Sequence, residues 1–112
     1  MLTTLLFFLL TTTFFAKADP PNETLKDLYK RYELGQITEC ELDGKTVYVA
    51  SINAFDAPST AYTKEGPRLF TCNYAWGQAD KQCVELKNCD VIYRCRLHIS
   101  GKRAIDKYKL GN

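Results

Sequence analysis

The chain is poor in the residues from which most catalytic and metal-binding sites are built. Its 112 residues include one histidine, one tryptophan and one methionine, and no two cysteines stand at C-x-x-C spacing. A lone His98 without short cysteine spacing leaves no zinc knuckle and no dithiol redox motif. There is no glycine-rich phosphate loop and no EF-hand sequence, and Ser51, Ser59 and Ser100 lie in no nucleophile-elbow or S-x-x-K context. No cofactor or metal is therefore implied. Glu39 and Glu41 share a strand face and form the one candidate carboxylate pair, but exposed strand glutamates are ordinarily just solvated. A cysteine nucleophile needs a base, and His98 is predicted on the opposite strand face from Cys95. A small hydrolase with an unseen site stays only as an alternative.

A long, uninterrupted apolar run is also missing. The opening MLTTLLFFLLTTTFFAKA is too short and too broken by threonines to span a bilayer. Its core at Leu5 to Leu10 and Phe14 to Ala16, followed by Ala16-Lys17-Ala18 and then Asp19-Pro20-Pro21, predicts a cleaved signal peptide over residues 1–18. It lacks a basic residue ahead of the apolar run, and an uncleaved anchor is the competing reading. The mature chain, 19–112, is one small domain, secreted or periplasmic, with no membrane span after cleavage. Cleavage removes Lys17, one of 15 basic residues facing 13 acidic ones, so the mature protein is almost neutral. That lack of basic excess argues against nucleic acid as a partner.

What is present is a disulfide framework on a β-rich pattern. Leu25, Leu28, Tyr29 and Tyr32 repeat at helical spacing, predicting a helix from about Glu23 to Leu34 that ends at Gly35. Either Asn22 or a loose Thr24/Asp27 capping box starts it; Asn22-Glu23-Thr24 is also a glycosylation sequon if the source is a eukaryote. Ile37 to Leu42 and Thr46 to Ile52 read as a hairpin joined at Asp43-Gly44. Residues 53–66 read as a surface loop, a contact surface or a simple connector, Arg68 to Cys72 as a strand, 73–82 as a loop and Val84 to Leu86 as the start of another strand. After a turn at Asn88 to Asp90, the alternation Val91, Tyr93, Cys95, Leu97, Ile99 predicts a half-buried strand, with Arg103 to Leu110 returning as an edge. The expected architecture is α+β: an N-terminal helix on an antiparallel sheet of four or five strands.

Five cysteines in an exported chain predict two bridges and one odd thiol. Cys72 and Cys83 bracket a loop between strands, and a bridge there contributes about 3 kcal/mol. Cys89 and Cys95, about 20 Å apart along one strand, are too distant to pair. Cys40 has two possible partners, Cys89 and Cys95. Parity favours Cys40–Cys95 and leaves Cys89 as the free thiol, either inert or paired with another chain.

Beside the 53–66 loop, two surfaces are candidates for binding. Tyr74 and Trp76, beside Gly77 in the loop clamped by Cys72 and Cys83, make a pre-organised aromatic platform or a plug for the core. Arg94, Arg96, Lys102 and Arg103, with Lys107 and Lys109, make a basic C-terminal hairpin suited to an acidic protein, anionic lipid or polysaccharide, or simply a solvated face. The leading expectation is a non-catalytic secreted or periplasmic binding module, including a protein-directed inhibitor, that uses the aromatic loop on a protein partner. The alternative is a polyanion or envelope-binding protein that uses the basic hairpin. Oligomeric state is left open.

The run Glu39-Cys40-Glu41-Leu42-Asp43-Gly44-Lys45-Thr46-Val47-Tyr48, with Asp56, Tyr62, Gly66 and Leu69-Phe70-Thr71-Cys72, resembles small uncharacterised domains of exported bacterial proteins. In those, a strand of this kind precedes an Asp, a Tyr-x-x-x-Gly turn and a cysteine near a glycine-rich loop. The resemblance covers Glu39 to Cys83. It departs in lacking glycines after Cys72 and in adding Cys89 and Cys95. It implies export to a bacterial periplasm or exterior and assigns no activity.

Overall fold

The computed structural model describes residues 22–73 and 81–111. Helix α1 spans Glu23–Tyr32 and is capped by Asn22, whose Oδ1 accepts from the Leu25 N–H at 2.8 Å. The same carboxamide donates through Nδ2 to the Tyr48 hydroxyl at 2.9 Å, so the atom a sequon sugar would occupy is already engaged. The Thr24/Asp27 capping box is not the cap used. Glu33 closes the helix, two residues before the predicted end, because Gly35 already belongs to a strand. Only glycine fits there: a Cβ on Gly35 would lie 2.0 Å from the Ser51 carbonyl oxygen.

The strands are β1 (Gly35–Leu42), β2 (Lys45–Ile52), β3 (Ser59–Thr63), β4 (Arg68–Cys72), β5 (Lys87–Arg94) and β6 (Ile105–Asp106). They form one antiparallel sheet in the order β4-β3-β2-β1-β5-β6. The β1–β2 hairpin turns at Asp43 and Gly44, both at positive φ (53° and 78°), the geometry that an Asp-Gly pair favours. Six strands replace the predicted four or five. The additional one is β3, inside the segment expected to be a loop. Its STAYT alternation pairs with β2 from Val47↔Thr63 to Ala50↔Thr60 despite the flanking turn residues.

The two faces of the sheet carry separate cores. On one side α1 packs Leu25 and Leu28 onto Ile37, Tyr48, Ala50, Tyr62, Ile92 and Tyr93. The C-terminal turn lies alongside, held by the Asp106 carboxylate accepting from the N–H groups of Leu110 and Gly111, and it adds Tyr108 and Leu110 to this core. Lys109 and Leu110 share a cleft with Glu23, Lys26 and Lys30 of α1. On the other side Cys40, Leu42, Val47, Ala61, Phe70 and Cys72 are covered by Cys83. That residue sits in a 3₁₀ helix, Lys81–Glu85, where a strand at Val84 to Leu86 was expected. The Cys72–Cys83 bridge holds this short helix on the sheet face instead of at an edge.

The second bridge corrects the sequence reading. Cys40 pairs with Cys89, Cα to Cα 4.1 Å, and not with Cys95. The expected turn at Asn88 to Asp90 lies within β5, where Glu39 faces Asp90 and Glu41 faces Lys87. A register irregularity there brings Cys89 opposite Cys40. Cys95 packs in the helix-side core while Cys40 faces the other way, so the two thiols stand on opposite faces. The free cysteine is Cys95, and it is buried; Cys89 is not a free thiol. The strand itself stops at Arg94, well before Ile99, and the return strand is only Ile105–Asp106. No helix among the described residues is long and apolar enough to cross a membrane.

Candidate binding surface

One end of the sheet gathers three connections. Gly35 pairs with Ile52, Gln36 with Arg94 and Arg94 with Ile105. The α1–β1 turn, the β2–β3 loop and the β5–β6 loop therefore emerge side by side. Each carries large apolar side chains into solvent: Leu34 is 78% exposed, Ile52 57%, Phe55 81%, Leu97 95% and Ile99 40%. Behind Leu34 and Ile52 lies a cleft of about 330 Å³.

Side chains tie the two longer loops together. Asn53 Oδ1 accepts from the Ile99 N–H at 2.7 Å, and its Nδ2 donates to the Leu97 carbonyl at 3.5 Å. A second turn of bonds runs inside the β5–β6 loop. Gly101 N–H donates to the His98 carbonyl (2.9 Å), Ser100 N–H to His98 Nδ1 (3.1 Å), and Lys102 N–H to Ser100 Oγ (3.2 Å). Leu97 is held at φ 56°, a left-handed conformation that is unfavourable for a bulky residue.

The base of this loop is fixed by Arg94, which is only 9% exposed. Its Nε donates to Gln36 Oε1 at 2.8 Å and its guanidinium donates to the Arg103 carbonyl at 3.1 Å. This removes Arg94 from the predicted basic stripe: the strand ends there, the side chain turns inward, and Arg94 and Arg96 share no strand face. Arg96, Lys102 and Arg103 are exposed, with no carboxylate within ion-pair distance among the described residues. Lys107 is paired with Asp90 at 2.7 Å, away from them. Tyr74, Trp76 and Gly77, the predicted aromatic platform, lie outside the described residues.

The candidate chemical groups are dispersed. Glu39 accepts from the Tyr108 hydroxyl (2.9 Å) and Glu41 from the Asn88 amide (2.9 Å), so each carboxylate has its own structural partner. His98 Nδ1 stands 2.9 Å from Ser100 Oγ, yet it also receives the Ser100 N–H, the pattern of a local turn. Burial, and then the Arg94 cation, hold the imidazole below its ordinary pKa. Among the described residues no group of three or more His, Cys, Asp or Glu side chains is placed to hold a metal ion.

Leu34 and Ile52 carried no site reading in the sequence, whereas Asn53 and Phe55 fall in the 53–66 loop that the sequence offered as a contact surface, though neither residue was named there. The available signal was Phe55, a large apolar residue in a segment otherwise rich in turn formers. Leu97 and Ile99 were assigned to a buried face by extending the alternation of β5 past its end. Compared with family models, curated proteins and solved structures, the chain matches none.

Proposed function

We infer that this protein is a small non-catalytic recognition module that works outside the cytoplasm and binds through the loop end of its sheet. The observation that carries this reading is the convergence of three separate connections on one exposed apolar surface, with the two longer ones tied through Asn53. A loop surface fixed before binding loses little entropy on binding, which favours recognition. Contiguous exposed apolar side chains are uncommon on a surface that meets only water. Two disulfides fit an oxidising compartment, as does the apolar leader over residues 1–18. Of the predicted basic stripe, Arg96, Lys102 and Arg103 are exposed in the same β5–β6 connection that carries Leu97 and Ile99.

The test is a photo-crosslinking residue placed at Phe55, at Leu97 and, as a distant control, at Lys45 in the β1–β2 hairpin, with the protein exported by its own host. Adducts are expected from the two loop-end positions and not from Lys45. Absence of adducts to either protein or lipid at both loop-end positions, or equal yields at all three, overturns the reading.

A further inference from the structure

We propose that the loop end docks on an anionic membrane surface. Leu97 and Phe55 enter the boundary of the acyl chains, and Arg96, Lys102 and Arg103 lie among the headgroups. This rests on the loop end being the recognition surface and names what that surface recognises.

Three observations select a bilayer over a protein. The exposed residues are aliphatic or phenyl: Leu34, Ile52, Phe55, Leu97 and Ile99. Protein hot spots are enriched in Trp, Tyr and Arg and depleted of Leu, whereas interfacial membrane contacts combine Leu and Phe with Lys and Arg. Leu97 is the second observation. Its left-handed backbone costs stability and its side chain, 95% exposed, receives no packing in return. The Asn53 bonds to its carbonyl and to the Ile99 N–H hold the leucine outward, so the loop is built to present it.

Charge is the third. The 95–104 segment contains Arg96, Lys102, Arg103 and His98 and no aspartate or glutamate, in a protein that is otherwise close to neutral. Cations gathered next to protruding apolar side chains complement a surface of acidic headgroups over hydrocarbon. The headgroup attraction and the apolar insertion then act on the same loop and reinforce each other.

Sedimentation with large vesicles tests this, using the mature protein and either pure phosphatidylcholine or phosphatidylcholine containing about a quarter phosphatidylglycerol. The protein is expected to sediment with the anionic vesicles and not with the neutral ones. Leu97→Asn, which keeps a residue tolerant of positive φ, is expected to weaken partition about tenfold, and Phe55→Ser to a similar extent. The pair Lys102→Glu and Arg103→Glu is expected to abolish it. Val84→Ser, at a valine 78% exposed on the 3₁₀ helix, serves as the control that leaves partition unchanged.

Failure to bind anionic vesicles overturns the proposal, as does equal binding to neutral ones. Binding that survives Leu97→Asn but is lost in the double charge reversal identifies a simple polyanion surface and also overturns it. Crosslinks from positions 55 and 97 to a protein, with no vesicle binding, defeat the membrane assignment and leave the recognition reading standing. Absence of both defeats both.

Discussion

Removing the Cys40–Cys89 bridge by a double change to alanine should destabilise the domain by about 5 kcal/mol. The bridge spans a sequence separation of 49 residues, against 11 for Cys72–Cys83. The loop-entropy relation then assigns it about 4 kcal/mol, acting on the unfolded chain. A further contribution of about 1 kcal/mol comes from the folded side, where the Cys40 sulfur leaves a packed site only 3% exposed, while Cys89 is already at the surface. Since single domains hold roughly 5–15 kcal/mol in total, the variant should be barely folded at room temperature. Urea unfolding followed by tyrosine fluorescence reads the loss. The urea dependence should also steepen, because the released chain expands further when unfolded. Cys95→Ala separates the two pairings the sequence allowed. It should keep both bridges by intact mass and cost only about 1 kcal/mol for a vacated core sulfur. A loss under about 2 kcal/mol for the Cys40/Cys89 pair, or a bridge lost in Cys95→Ala, would refute the reasoning.

Arg94→Met should cost about 2 kcal/mol, because it leaves the Gln36 side chain and the Arg103 carbonyl without their charged donor. Amide hydrogen exchange across 95–104 should quicken at the same time. An unchanged or higher unfolding midpoint would mean that desolvation of the guanidinium outweighs its two bonds. A further outcome concerns alkaline pH. Burial is the first cause lifting Tyr32, Tyr93 and Tyr108, each from the ordinary 10.0 to about 12. As pH rises past 10 the unfolded chain loses these protons first, so the folded state binds more protons and stability falls between about pH 10 and 12. Below that window the contribution is fully present. Tyr108→Phe should flatten the slope, and a stability profile that is level or rising across the window would contradict it.

The helix was legible in the sequence because Leu25, Leu28, Tyr29 and Tyr32 keep a single period and Asn22 offers an acceptor at the right place. The first hairpin was legible because Asp43-Gly44 specifies its own turn. The region after Lys87 was not, for two physical reasons. A register irregularity against β1 shifts the side chains of β5, so that Ile92, Tyr93, Arg94 and Cys95 are all buried and simple parity fails. The chain then leaves the sheet at Cys95 through tertiary bonds made by Asn53 and Arg94, residues distant in sequence or of a type normally exposed. Alternation continued past that point placed Leu97 and Ile99 in a core that does not extend so far. Pairing Cys40 with Cys95 followed from the same parity error. The loop end was therefore the least readable part, since it depends on contacts between segments and has no periodicity of its own.

The seating of the C-terminal turn against α1 has a consequence for how the chain can be cut and rejoined. Lys109 and Leu110 lie beside Glu23 and Lys26, so the two ends of the described fold are near neighbours. A linker of about five residues spans such a gap. The Asp43-Gly44 turn sits at the far end of the sheet, with both residues exposed. Opening the chain there and joining its ends gives a circular permutant that keeps every sheet pairing, both bridges and all three loops of the apolar end. In such a permutant the order β2-β3-β4-β5-β6-α1-β1 leaves the new termini at the end of the sheet opposite the apolar loops, free to carry a label or a partner domain.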